Sequence, residues 1–143
     1  KNKTGEIIKY KLSKDPDNYV LQHYMGDVYT EQKNFEQAVK HYKKALSLNS
    51  NSVETLNNLA WLYITSENKK IKNLNSGIKL AEKALSIAKQ PPPHLLDTLA
   101  EGYFRAEEYD KACYIIEDAL QKANTNKKYY IKQKEKICSL QTK

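Results

Sequence analysis

Apolar positions recur at spacings of three and four along almost the whole chain, which is the periodicity of amphipathic helices and not of strands. The fullest example is residues 19–52, YVLQHYMGDVYTEQKNFEQAVKHYKKALSLNSNS, which reads as two helices joined at Lys33-Asn34. Most of its pattern returns twice. Met25-Gly26-x-x-Tyr29 is followed by Ala38, Tyr42 and Ala45-Leu46. Leu59-Ala60-x-x-Tyr63 is followed by Gly77, Ala81 and Ala84-Leu85, and Leu99-Ala100-x-x-Tyr103 by Ala112, Ile116 and Ala119-Leu120. A small residue in each first helix lets its partner helix approach closely, while alternating small and large residues line the second helix. One such pair cannot bury both of its apolar faces, so the pairs are expected to stack.

The segments follow in order. Residues 1–18 hold a helix with Ile7, Ile8 and Leu12 on one face, ending at Asp15-Pro16-Asp17-Asn18. It reads either as the second helix of a preceding repeat or as an N-terminal cap, and exposure of Ile7 or Ile8 would favour the former. The first repeat is 19–52, entered through Asn18 as N-cap. The second is 53–92, with five more residues between Tyr63 and Gly77 than the first repeat has between Tyr29 and Ala38. That excess predicts a polar loop at 66–75 protruding from the helix pair. Pro91-Pro92-Pro93 forms a stiff elbow whose last proline suits the start of a helix. The third repeat is 93–126, and the amphipathic stretch in 127–143 predicts a C-terminal capping helix with a polar outer face.

These residues resemble the tetratricopeptide repeat, whose signature has Leu-Gly-x₂-Tyr in the first helix and Ala-x₃-Phe in the second. The resemblance covers roughly 15–126. It departs at the leading Trp, replaced by Gln22, Leu56 and Leu96, and at the closing Pro, which is Ser50 in the first repeat. NNLAWLYITSENKKIKN, followed by Leu95-Leu96-Asp97-Thr98-Leu99, resembles a subtype of bacterial multi-repeat proteins with a lengthened turn. The implied fold is all-α, a right-handed superhelical solenoid of antiparallel helix pairs, with three repeats and a flanking helix at each end.

Composition supports helix throughout, with only four Gly and four Pro in 143 residues. The net charge of +7 suggests nucleic acid until it is divided. Residues 1–14 carry five Lys and one Glu, and residues 122–143 seven Lys and one Glu. The body between them has twelve basic and fifteen acidic residues. A phosphate-binding surface needs a basic stripe on the body, so nucleic-acid or anionic-membrane contact is expected only through the Lys-rich terminal helices. No apolar run is long enough to cross a membrane, and a cytoplasmic location is favoured, with the soluble part of an exported or membrane-anchored protein as the alternative. Cys113 and Cys138 are too few for a disulfide framework or a metal site. Reduced thiols are expected, with a bridge between the last helices as the alternative.

No catalytic or metal-binding motif is present, and His23, His41 and His94 lack ligand spacing. The expectation is a non-catalytic scaffold without cofactor or metal. Such solenoids bind peptides or helices on the concave face lined by first helices. Projection from the small-residue slot places Val20, His23, Asp27, Thr30 and Glu31 there from the first repeat. The second contributes Glu54, Asn57, Asn58, Trp61 and Ile64, and the third Asp97, Glu101, Phe104 and Arg105. This groove is mildly acidic with aromatic patches, which favours a basic or amphipathic partner segment. Family members that hold a C-terminal carboxylate use Lys, Arg and Asn. The matching positions here are His23, Asp27, Asn58, His94 and Thr98, of which only Asn58 agrees. The rival role is structural, namely stacking in a larger array or self-association through the N-terminal helix.

Overall fold

The computed structural model describes the backbone of residues 2–140, so residue 1 and residues 141–143 of the predicted terminal segments lie outside the described part. The described chain is all-helical and runs as α1 (Asn2–Lys14), α2 (Tyr19–Glu31), α3 (Phe35–Leu48), α4 (Val53–Thr65), α5 (Leu74–Ile87), α6 (Pro93–Arg105), α7 (Tyr109–Lys122) and α8 (Lys127–Cys138). Each helix packs on its neighbours in sequence, with α2–α3, α4–α5 and α6–α7 forming the most intimate pairs. The result is a tetratricopeptide-like solenoid.

Local chemistry starts the helices where the sequence predicts. The Asn18 side chain accepts from the backbone N–H of Val20 and Leu21 at 3.1 and 3.2 Å, satisfying donors that no earlier turn can reach. α5 instead begins at Leu74, inside the loop predicted to run to residue 75, because Asn73 caps it through the N–H of Ser76 at 3.2 Å. Pro93 opens α6, where its missing N–H costs nothing.

Close packing follows from the small residues. Ala38, Ala45, Ala60, Ala84, Ala100, Ala112 and Ala119 are fully buried. At Gly26 a Cβ would stand 2.5 Å from the Tyr42 ring, so only glycine lets that ring lie against α2. Tyr42 is itself buried and spans from α3 to the concave side.

One hydrogen bond closes the turn of every pair. Asn34 N–H reaches Tyr29 C=O at 2.8 Å, Glu108 N–H reaches Tyr103 C=O at 2.9 Å, and Asn73 N–H reaches Tyr63 C=O at 3.0 Å. The second repeat therefore restores the same closure after its longer connection. Residues 67–70 of that connection are exposed, but its far end is anchored. Ile71 is only 5% exposed and packs with Leu59, Leu62 and Ala38, which pins the loop to the α3–α4 side. A single apolar residue in a polar stretch overrides its composition.

The cysteine expectation is revised. Cys113 and Cys138 form a disulfide joining α7 to the end of α8, in place of reduced thiols. At the other end Ile8 is buried whereas Ile7 is 55% exposed, so α1 seats one edge on α2 and leaves the other open.

Candidate functional site

The first helices α2, α4 and α6 line one face of the solenoid, and α8 completes it. Together they enclose an open groove of about 740 Å³. Asp27, Thr30, Glu31, Asn57, Asn58, Trp61 and Asp97 line it, as the helical projection anticipates. His94 and Thr98 join them, along with Tyr42, Leu62, Asn126, Tyr129 and Tyr130.

Asp27 is the hub of the N-terminal half. Tyr42 Oη donates to Asp27 Oδ1 at 2.6 Å and Asn58 Nδ2 donates to the same oxygen at 3.1 Å. His23 Nε2 lies 3.3 Å from Asp27 Oδ2, and its other ring nitrogen lies 2.7 Å from Thr55 Oγ1. Burial works to raise the Asp27 pKa, but the His23 and Tyr42 hydrogen bonds, the His23 charge and Asn58 outweigh it and hold the carboxyl below its usual range. The same carboxylate and its own burial raise the Tyr42 hydroxyl far above the ordinary tyrosine value. Asp27 is thus a fixed negative charge at the groove wall.

Next to it, Asn57 is 6% exposed and its Oδ1 has no hydrogen-bond partner among the described residues. A buried acceptor without a donor costs about 1–3 kcal/mol. It lies on the groove lining beside Asn58 and Trp61.

The C-terminal half differs from the projection. Glu101 is taken out of the groove because α8 docks over it, Phe104 turns to Tyr109 and Lys136, and Arg105 stays exposed off the groove lining, paired with Glu101. Glu101 is 2% exposed, accepting from Lys136 Nζ at 2.7 Å and from Arg105 Nε at 2.7 Å. Phe104 packs edge-on against Tyr109, with Lys136 Nζ 5.2 Å from its ring centre. Asp97 reaches the lining, yet its oxygens accept from Tyr129 Oη at 2.6 Å and Gln133 Nε2 at 2.7 Å. Burial raises the Asp97 pKa against these hydrogen bonds, whereas Glu101 is lowered because Lys136 and Arg105 overcome its own burial.

Four other projected positions also fall outside the lining, the first being His23, which is held between Thr55 and the Tyr42 ring. Ile64 is fully buried in the core with Ala60, Ala81 and Leu99, because it points at the α5–α6 contact. Val20 is exposed beyond the groove lining. Glu54 is exposed and pairs with His94 Nε2 at 3.1 Å. Conversely, sequence reasoning missed Asn126, Tyr129 and Tyr130, since α8 lacks the small-residue slot that identifies a first helix. The tyrosine pair at its start was the available signal.

This architecture defines a helical-repeat scaffold with an open concave face. Residues 26–65 match the family model of the TPR repeat, in phase with α2 through α4. Residues 26–65 thus carry tetratricopeptide-repeat sequence within a solenoid of that fold, and such repeats generally mediate protein–protein interaction on a typically non-catalytic frame. Among solved structures it is similar to PilW, a widely conserved type IV pilus biogenesis factor. The TM-score is 0.73 at 18% identity, over 92% of this chain and 67% of that one, a likeness that establishes the shared fold. No curated protein sequence matches. No helix among the described residues is long and apolar enough to cross a membrane.

Proposed function

We propose that the concave groove holds a basic or amphipathic segment of a partner protein, laid along α2, α4, α6 and the start of α8. The observation that carries this reading is Asn57 Oδ1, a buried acceptor without a donor beside the fixed charge of Asp27. A backbone or side-chain N–H from a bound segment would satisfy the first, and a cationic side chain would complement the second. Trp61, partly exposed between them, offers an aromatic surface for a lysine or arginine stem.

The test is a titration with a lysine-rich amphipathic peptide, followed through the emission of Trp61, which is the only tryptophan. Asn57→Leu should raise the melting temperature of the free protein, because it removes the unmet acceptor, and should weaken peptide binding. A variant that binds the peptide as tightly as the parent would overturn the reading.

The Cys113–Cys138 bridge bears on compartment. Disulfides persist in oxidising surroundings and are rare in the cytosol, so it favours an exported setting over the cytoplasmic one expected from the sequence. Thiol counting on protein isolated from its native host, with alkylation before lysis, decides between them.

A further inference from the structure

The convex side carries a second groove, of about 550 Å³, between α3 and α5. Its floor is Leu46, Leu59, Tyr63 and Leu80, and its rim carries Lys43, Lys79 and Lys83. All three lysines are exposed, and none forms an ion pair among the described residues. The two helices that flank it carry Lys40, Lys43, Lys44, Lys79 and Lys83 against only Glu36 and Glu82. The concave and convex faces of the first two repeats therefore have opposite charge.

The next repeat shows how such a groove closes on itself. Tyr103 holds in α6 the place that Tyr63 holds in α4, three residues after the small slot. Its hydroxyl donates to Glu82 Oε2 at 2.7 Å, and Lys111 Nζ stands 5.5 Å from its ring centre. Glu82 follows the buried Ala81 as Lys43 follows the buried Tyr42, and Lys111 precedes Ala112 as Ser76 precedes Gly77. At the α3–α5 groove both partners are thus exchanged. A lysine stands where the carboxylate would accept from the tyrosine, and a serine stands where the lysine would cover its ring.

We infer that the α3–α5 groove is a docking site for an acidic amphipathic segment of a partner protein, whose apolar side chains sit on Leu46, Leu59 and Leu80 and whose carboxylate takes the place opposite Tyr63 that Glu82 takes opposite Tyr103. The charge of the rim sets the sign of the partner, and the neighbouring repeat supplies the pattern of the missing contact. A cleft between two helices accepts a row of side chains, which a flat bilayer cannot supply. A phosphate backbone would leave the leucine floor uncovered. This inference concerns the opposite face from the concave groove and stands or falls separately from it.

The experiment is an NMR titration of the intact chain with a helical peptide carrying leucines three and four residues apart flanked by glutamates. Its controls are the same peptide with lysine for glutamate, and phosphatidylserine vesicles. Saturable shifts at Leu46, Tyr63 and Leu80, absent with the lysine peptide, are expected. Lys43→Glu should weaken binding at least about tenfold while leaving the melting temperature unchanged or higher, since it restores an internal acceptor for Tyr63. Lys83→Glu should weaken binding without that stabilisation. The proposal is overturned by no saturable shift in the groove, or by shifts confined to the concave residues. It is overturned equally by vesicle binding that the two Lys→Glu variants abolish while peptide binding is absent.

Discussion

The two ends of this solenoid treat their polar groups in opposite ways. In the C-terminal half, Asp97 and Glu101 sit under α8, each with two or more donors, and Tyr103 is closed between Glu82 and Lys111. In the N-terminal half the equivalent surfaces stay open. Among the described residues Asn57 Oδ1 lacks a donor and no carboxylate accepts from Tyr63 on the convex side, while Asp27, although it accepts from Tyr42 and Asn58, keeps a side chain 36% exposed at the groove. One repeat pattern thus yields a self-satisfied region and an unsatisfied one. On the proposed reading, the first contributes mainly to stability and the second to recognition.

Breaking the closed half should have the largest effect. The Cys113–Cys138 bridge closes a loop with a sequence separation of 25. By chain entropy its removal in Cys113→Ser/Cys138→Ser costs about 3.5 kcal/mol. Hydrogen exchange should show α8 losing protection first, with α2 and α4 little changed. Uniform loss across the chain would contradict the division into two halves. Glu101→Ala comes next, at about 2 kcal/mol. That is less than a fully buried pair would lose, because the Lys136 and Arg105 side chains are 43% and 38% exposed and can turn to water. Chemical denaturation measures it. Glu101→Gln, which keeps the acceptor for Gln133, should lose less.

Asp27→Asn probes the open half. It weakens the Tyr42 and Asn58 hydrogen bonds and should cost about 1 kcal/mol, while reducing affinity for a basic peptide more than it reduces stability. Because the Asp27 carboxyl is held below its ordinary value of 3.8, its contribution is complete above that pH and is lost as pH falls through the lower folded value. The parent and the variant should therefore converge in stability below pH 3.8 and differ above it. Parallel curves across that range would show that Asp27 is not the hub.

The fold was legible because three registers of Gly26, Ala60 and Ala100 agree, and a small residue at a helix crossing leaves few alternatives. The groove was legible only where a helix runs unobstructed. Asp27, Asn57, Asn58 and Trp61 fell where the periodicity placed them. Glu101, Phe104 and Arg105 did not, and for Glu101 the reason is that the sequence of α6 carries no mark of the helix that covers it. The covering residues, Tyr129, Gln133 and Lys136, lie more than thirty positions away and follow no repeat slot. The pinned loop has a similar cause. Ile71 is one apolar residue among polar ones, and its burial depends on the cleft that Leu59 and Leu62 present. The cysteines lie on facing turns of α7 and α8, a relation that spacing alone cannot give.

The finest distinction between the two halves is between two tyrosines in the same slot. Burial raises both, but Tyr103 is further pushed by the hydrogen bond and charge of Glu82, to about 12, whereas burial alone raises Tyr63. Glu82→Gln should therefore lower the Tyr103 pKa in an ultraviolet or NMR titration and leave Tyr63 untouched. Lys43→Glu should act in reverse, raising Tyr63 and leaving Tyr103 alone. The stability change in either case is small, since both rings border solvent. If instead the two tyrosines titrate together in the parent and neither variant separates them, the carboxylate does not close the groove over α6. The asymmetry between the halves would then lie in the α8 network alone.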